Sequence, residues 1–213
     1  MRSKIRFLVQ VFLIYMFKKI TLMNNMFPIE HTYFDEHFYT RKYQDLLVKV
    51  GPSRTKLYHH FLKYGIKEGK AGSEAFDIKY YLTSNTDLKN LYGDDYVAGF
   101  KHFLEKGKYE GRDLSPVLNM TYYLEKNPDI AEKYGNDING IMAQFLREGM
   151  SEGRPSSPYF DFDAYRQRYT DLRIIYGDNI REYYTHFCTH GKEEKRLALK
   201  WLYINKFIYY FFI

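Results

Sequence analysis

The chain has 213 residues, a formal net charge of +6 at pH 7 and an aromatic content of 19%. Its 23 tyrosines and 17 phenylalanines exclude an intrinsically disordered chain and are enough to build a core. The positive charge is concentrated before residue 34, whereas the middle of the chain is slightly acidic. A nucleic-acid groove needs a continuous basic stripe, so we expect no nucleic-acid partner.

The single cysteine, Cys188, excludes an internal disulfide and a zinc site built from thiolates. It falls 42 residues after Leu146, at a place where the earlier parts of the chain also carry leucine. We therefore expect a small buried apolar residue there, with no chemistry of its own.

Residues 1–33 form a basic and apolar N-terminal segment. Its apolar run, residues 7–17, has the length of a signal-peptide core and is too short to cross a bilayer. No cleavage site of small residues follows. Three interpretations stay open: an uncleaved signal or membrane-surface anchor, a helix that caps the array, and an extension upstream of a start at Met23 or Met26. In the first of these, residues 1–20 would contact a membrane surface.

From residue 34 a 42-residue pattern recurs four times without an insertion. Four units in register indicate a repeat array in which each unit covers its apolar face with its neighbours. The units span 34–75, 76–117, 118–159 and 160–201. The recurring positions are Asp45, Asp87, Asp129 and Asp171; Phe61, Phe103, Phe145 and Phe187; Gly65, Gly107, Gly149 and Gly191; Glu68, Glu110, Glu152 and Glu194; and the basic Lys70, Arg112, Arg154 and Arg196.

Each unit is predicted to contain three short helices, near residues 36–42, 45–50 and 54–64 in the first unit and 42 residues later in each following one. In the third unit Asn119 can cap the first helix, and Pro128 suits the first position of the second. Ser53, Asp95, Asp137 and Asn179 can cap the third helices. The predicted fold is all-α, a solenoid-like array of four helical repeats.

Most recurring residues are expected to be structural. The four phenylalanines and Tyr39, Tyr81, Tyr123 and Tyr165 lie on apolar helix faces, which is typical of core residues rather than of a ligand platform. The glycines at residues 65, 107, 149 and 191 follow the last apolar residue of the third helix, so we predict a positive φ at each.

The recurring acidic and basic residues are predicted to form ion pairs between adjacent layers, with Arg112 and Arg154 each bound to an Asp or Glu of the recurring set. His60, His102 and His186 also recur, with Gln144 in the third unit. Residues one layer apart are too far from each other to share a metal, so we expect a hydrogen-bond or packing role for them. The Gly-Asp loops lack the acidic spacing of a calcium site.

The chain ends in an apolar and aromatic tail, residues 202–213, whose character begins at Trp201. The tail is too short to span a bilayer, and we predict that it docks over the last unit.

The strings FDIKYYLTSNTDL, HFLEKGKYEGR, LNMTYYLEKNPDI and QFLREGMSEGR resemble a repeat of the form FDxxYYxxNPDL…YGxD…HFxxxGxxEGR. Such repeats occur beside catalytic domains in bacterial glycosyltransferases, in secreted and cell-surface proteins and in some giant-virus proteins. The resemblance covers about residues 34–196 and implies a non-catalytic accessory module. The chain departs from the pattern at Lys70, Gln144 and Lys195.

The sequence contains no nucleophile–base pair, phosphate loop or nucleotide fingerprint. We therefore expect a non-enzymatic repeat protein without a cofactor or a bound metal, acting as a structural or protein-interaction module. Two alternatives are a binding module for a surface glycan and a membrane-attached scaffold. A functional signal in residues 1–33 would place the protein at the cell surface, in the secreted fraction or on a membrane; otherwise it would be cytoplasmic or virion-associated.

Overall fold

The computed structural model describes residues 32–199 of the chain. The predictions made for residues 1–31 and 200–213, including those on the N-terminal segment and the apolar tail, lie outside the described residues. Within residues 32–199 the molecule is mostly helical, which confirms the predicted all-α class.

The described helices follow one another as four triplets whose first members begin 42 residues apart. They are α1 (Glu36–Lys42), α2 (Asp45–Lys49), α3 (Arg54–His60), α4 (Ile78–Ser84), α5 (Thr86–Tyr92), α6 (Tyr96–Glu105), α7 (Met120–Lys126), α8 (Pro128–Tyr134), α9 (Ile138–Gln144), α10 (Phe162–Arg168), α11 (Thr170–Tyr176) and α12 (Ile180–His186). A π-helical turn extends α3, α9 and α12, over Phe61–Gly65, Phe145–Gly149 and Phe187–Gly191. The longer α6 is followed instead by a 3-10 turn, Gly107–Tyr109.

Side-chain caps set the start of the first helix in every triplet. The four cap residues each accept a hydrogen bond of 2.7–3.0 Å from the backbone N–H three residues later, and they are Asp35, Asp77, Asn119 and Asp161. Asp95 and Asp137 cap α6 and α9 in the same way. The structure shows no such bond for Ser53 or Asn179 within the described residues, so two of the four caps predicted for the third helices are present.

Tight turns of extended chain connect consecutive triplets. An isolated antiparallel bridge joins Ser73 to Phe76, and another joins Ser157 to Phe160. The middle connection is a two-stranded antiparallel sheet, β1 (Asp113–Ser115) and β2 (Leu118–Asn119). The chain therefore reverses direction at each boundary between units.

These connections are hydrogen-bonded to one another in sequence order. The N–H of Asp77 donates to the carbonyl of Leu114 at 3.1 Å, and the N–H of Asn119 donates to the carbonyl of Ser156 at 2.9 Å. The same bond recurs at both ends of the described chain, from Asp35 to Gly72 and from Asp161 to Ala198. These four bonds form a backbone ladder with one rung in each unit.

The first and fourth triplets contact each other directly. Arg41 on α1 pairs with Glu182 on α12 at 2.5 Å, and the Lys42 ammonium donates to the carbonyl of Cys188 at 2.6 Å. Thr185 on α12 donates to the buried carboxyl group of Glu74 at 2.6 Å. In a simple solenoid each unit touches only its sequence neighbours. Here contacts over 111 to 146 positions bring the last triplet back onto the first.

Eleven of the twelve largest fully buried side chains among the described residues are aromatic. The predicted burial of Phe61, Phe103, Phe145 and Phe187 is confirmed, and so is that of the four recurring tyrosines and of Cys188. Phe61 packs edge-on against Phe100 of the next unit, and Phe145 packs in the same way against Tyr184. These contacts place the third helices of neighbouring units against each other.

The predicted backbone conformation of the four recurring glycines is wrong. Among the described residues, a positive φ is found at none of Gly65, Gly107, Gly149 and Gly191. In the first three units it is found at the glycine four residues later, with a φ of +66° at Gly111. The third helices run on into a π-helical or 3-10 turn and end later than the apolar pattern indicated. At residues 65, 107, 149 and 191 glycine serves another purpose, because a side chain there would clash with the hydroxyl group of the recurring tyrosine.

Candidate functional site

The candidate site is a polar network that recurs in every unit, and its first part joins a tyrosine on the first helix to the third helix. Hydrogen bonds link the Tyr39 hydroxyl to His60 Nδ1 at 3.1 Å and the Tyr81 hydroxyl to His102 Nδ1 at 2.9 Å. The equivalent bond joins Tyr165 to His186 at 2.9 Å, and in the third unit Tyr123 donates to Gln144 Oε1. The expected hydrogen-bond role of the histidines is therefore present, and glutamine preserves it.

The second part of the network is an arginine that binds two carboxylates. Both terminal nitrogens of Arg112 donate to Asp87, at 2.9 and 2.8 Å, and its Nε donates to Glu110 at 2.5 Å. The other two arginines make the same pair of contacts, Arg154 with Asp129 and Glu152, and Arg196 with Asp171 and Glu194. The prediction that Arg112 and Arg154 bind recurring carboxylates is confirmed.

The expectation that these ion pairs connect adjacent layers is wrong. Asp87, Glu110 and Arg112 all belong to one unit, because the chain after the third helix returns over the start of the second helix. The arginines therefore hold each unit together internally. Lys70 of the first unit pairs with Glu68 at 2.9 Å, while Asp45 pairs with Lys49 at 2.8 Å.

A set of residues not singled out from the sequence completes the network. In the inner units Asn85 and Asn127 precede the second helix, and the Asn85 side chain donates to the carbonyls of Tyr81 and Asp113, at 2.7 and 3.2 Å. In the outer units tyrosine takes this place, and the hydroxyl groups of Tyr43 and Tyr169 accept from backbone N–H groups instead. The Tyr-Asn-Asn-Tyr order at 42-residue spacing was the signal that could have revealed this.

The ionisable groups of the network respond to their neighbours. The hydrogen bonds from Arg112 hold the pKa of the Asp87 carboxyl below its usual value, and Arg196 does the same for Asp171. Burial lowers the pKa of His60 and of His186. The lowered pKa favours the neutral form of both rings, so the Tyr39–His60 and Tyr165–His186 pairs act as neutral hydrogen bonds.

The groups of the network bind one another. The contacts shown for its tyrosines and arginines lie within the unit, and the same pair of carboxylate contacts recurs at Arg112, Arg154 and Arg196. Among residues 32–199 no three His, Cys, Asp or Glu side chains lie where they could hold a metal ion. In the loop that faintly resembles a calcium site, Asp94 pairs with Lys89 at 2.6 Å and Asp95 caps α6. The geometry is that of a structural clamp.

The surface offers two features of another kind. The first is a groove of about 550 Å³ between the third and fourth units, which we call the 3–4 groove; its walls include Tyr122, Lys126, Tyr159, Phe162 and Asp163. The second is a set of exposed aliphatic side chains on the second helices, which we call the second-helix surface: Leu47, Val48, Leu91, Ile174 and Ile175. Ile174 and Ile175 are adjacent on α11 and are 81% and 69% exposed.

Comparison of the chain with protein-family models, with curated proteins and with solved structures gives no match. Among the described residues, no helix has the length and apolar character needed to cross a membrane.

Proposed function

We propose that the chain is a non-catalytic helical repeat protein, a solenoid-like array of four 42-residue units that binds another protein. The recurrence of the helix triplets and of the backbone ladder supports the repeat array. The resemblance of the motifs to an accessory repeat supports the absence of catalysis. The polar network supports the same view, because its groups bind one another within each unit.

The observation that carries the proposed interaction is the second-helix surface. Half of the large apolar side chains exposed among residues 32–199 lie on second helices. An exposed aliphatic pair such as Ile174 and Ile175 costs solvation free energy that a protein partner would recover by covering it. Aliphatic side chains are poor contacts for sugar rings.

A protein partner also fits better than a surface glycan because of where the tyrosines lie. Glycan binding of the kind considered above needs exposed rings on one face, whereas Tyr39, Tyr81, Tyr123 and Tyr165 are fully buried. Their hydroxyl groups are bonded inside the unit. We therefore assign the tyrosines to the scaffold and the recognition to the second helices.

The test compares proteins captured from native lysate by three immobilised full-length chains. One is the unmodified chain, one carries Ile174→Lys and Ile175→Lys, and the control carries Val97→Lys and Tyr109→Lys. The control adds the same charge at exposed apolar positions outside the second helices. We expect the unmodified and control chains to capture a protein that the α11 variant loses. Equal capture by all three chains would contradict the proposal.

A further inference from the structure

The 3–4 groove has an uncovered rim, and the described chain ends beside it. Tyr159 is 41% exposed, whereas Ala75 and Val117, at the same place in earlier units, are 0% exposed. Leu199 is the last described residue and lines the groove. We propose that the C-terminal segment, residues 200–213, docks into the 3–4 groove.

The equivalent surface two units earlier is occupied, and its occupant indicates what kind of segment the 3–4 groove could bind. Tyr122 and Lys126 correspond to Phe38 and Lys42, 84 positions before them. The lysine ammonium lies over the aromatic ring in both places, 5.6 Å from the centroid of Tyr122 and 5.8 Å from that of Phe38. The two walls therefore present the same arrangement of an aromatic ring and a cation.

At the earlier wall, the occupant is the end of a helix from the fourth unit. The Lys42 ammonium donates to the carbonyl of Cys188, in the turn that follows α12. Glu74 is covered there by Thr185, whereas its counterpart Pro158 is exposed. Among residues 32–199, the contact shown for the Lys126 ammonium is the ring of Tyr122. The 3–4 groove thus presents a cation where an apolar helical segment would place its last carbonyl groups.

The composition of residues 200–213 suits that occupant. Lys200 and Lys206 are the charged side chains among fourteen residues that are otherwise almost entirely apolar or aromatic. Leu202 and Ile204 fall 42 positions after Phe160 and Phe162, so the segment begins with the apolar spacing of another unit. Asp163 at the groove offers an exposed carboxylate to a lysine of the segment.

Covalent connection favours this segment over a second copy of the chain. Fourteen residues reach about 45 Å when extended, which is ample for a groove that starts at the attachment point. A short tether gives the segment a local concentration of roughly millimolar, well above that of another molecule in dilute solution. The docked segment would cover Tyr159 and shield its own aromatic residues from water.

Trp201 makes the proposal testable, since it is the only tryptophan in the chain. We expect its fluorescence in the full-length protein to be blue-shifted and protected from acrylamide. Tyr159→Ser should shift the emission to the red and remove the protection. The matched control Tyr109→Ser, at another exposed tyrosine, should leave both unchanged. Lys126→Glu, on the exposed face of the groove, should act like Tyr159→Ser with unaltered helical circular dichroism.

Two results would overturn the proposal. The first is emission typical of a water-exposed indole in the unmodified chain, including emission that turns blue only when phosphatidylcholine vesicles are added. The second is a blue shift that fades on dilution, which would assign the groove to the segment of a second copy. The α11 variant used to test the proposed function should keep the Trp201 signal of the unmodified chain, so the two proposals fail separately.

Discussion

The hydroxyl group of Tyr123 occupies the space that any side chain at Gly149 would need. The same relationship joins the recurring tyrosine and glycine of the other three units. The glycine is thus part of the polar network: its missing side chain lets the tyrosine hydroxyl reach the residue on the third helix.

We predict that Gly149→Ala destabilises the protein by about 1–3 kcal/mol, because the added methyl group overlaps the Tyr123 hydroxyl. In a Tyr123→Phe background the atoms that remain near that methyl group are at ordinary contact distance, 3.4 Å. The same glycine substitution should then cost less than ~1 kcal/mol. Urea titrations of the four proteins of this double-mutant cycle measure the difference. Equal costs in both backgrounds would show that the two residues do not compete for space.

Phe145→Ala should lower the free energy of unfolding by about 3–5 kcal/mol, because a fully buried ring is removed from between Tyr123 and Tyr184. Tyr109→Ala is the control, since this aromatic side chain is mostly exposed. Its effect should stay within about 0.5 kcal/mol. A loss under ~1 kcal/mol for Phe145→Ala in a urea titration would contradict its place in the core.

Arg112→Gln should cost no more than about 1 kcal/mol despite its two carboxylate partners, because Asp87 is largely exposed and solvent screens the pair. The loss should shrink as sodium chloride is added. Arg147→Gln, at an exposed arginine for which the structure shows no ion pair among the described residues, is the control and should have no effect. Thermal unfolding at low and high ionic strength measures both, and a loss that is independent of salt would mean that the packing of Arg112 matters more than its charge.

Glu74→Gln should stabilise the protein at neutral pH. Burial raises the pKa of the Glu74 carboxyl above its ordinary 4.5, and Oε2 has no hydrogen-bond partner among the described residues. The folded state therefore holds the proton more tightly than the unfolded state, so wild-type stability falls as pH rises from about 4.5 through the raised pKa.

The substitution removes this loss and should therefore stabilise the protein at neutral pH. Below pH 4.5 the two proteins should converge. Urea titrations over a pH series provide the measurement. A difference between the two proteins that does not change with pH would rule out titration of Glu74 as the cause.

A chain that starts at Asn24 should keep its helical circular dichroism and its cooperative melting. The first 42-residue unit begins near Phe34, so the deletion removes no part of a unit. Such a chain retains Tyr33, which packs edge-on against Phe100 and Phe103. It should lose any association with vesicles that the full-length protein shows. Loss of helical structure would instead assign the removed residues to the core.

The recurring sequence positions were sufficient to predict the helix triplets, the caps at Asp95 and Asp137 and the buried phenylalanines. A 42-residue period shows which residues share an environment, and helix periodicity shows which of them face inward. It does not show the distance between layers, and this is why Arg112 was expected to bind across a boundary. Nor does it show where a helix ends when its last turn changes type, which explains the error at Gly149.

The contact between Thr185 and Glu74 could not be predicted from the sequence either, because the 42-residue period does not show which distant units touch. It depends on the path of the chain through all the connections between residues 74 and 185. No local pattern around either residue encodes it. The comparison of the groove walls at Lys42 and Lys126 also required the structure, because only the structure shows that the fourth unit contacts Lys42.

The return of the fourth unit onto the first also bears on how the chain folds. Contacts inside a unit close short loops, whereas the contacts of Glu182 with Arg41 and of Thr185 with Glu74 close loops of 141 and 111 positions. Closing such loops costs more chain entropy and raises the contact order, so these contacts should form late. Deleting one inner unit would bring neither Glu182 to Arg41 nor Thr185 to Glu74. The shortened chain would therefore lose the contacts between its last and first units as well as the 42 deleted residues.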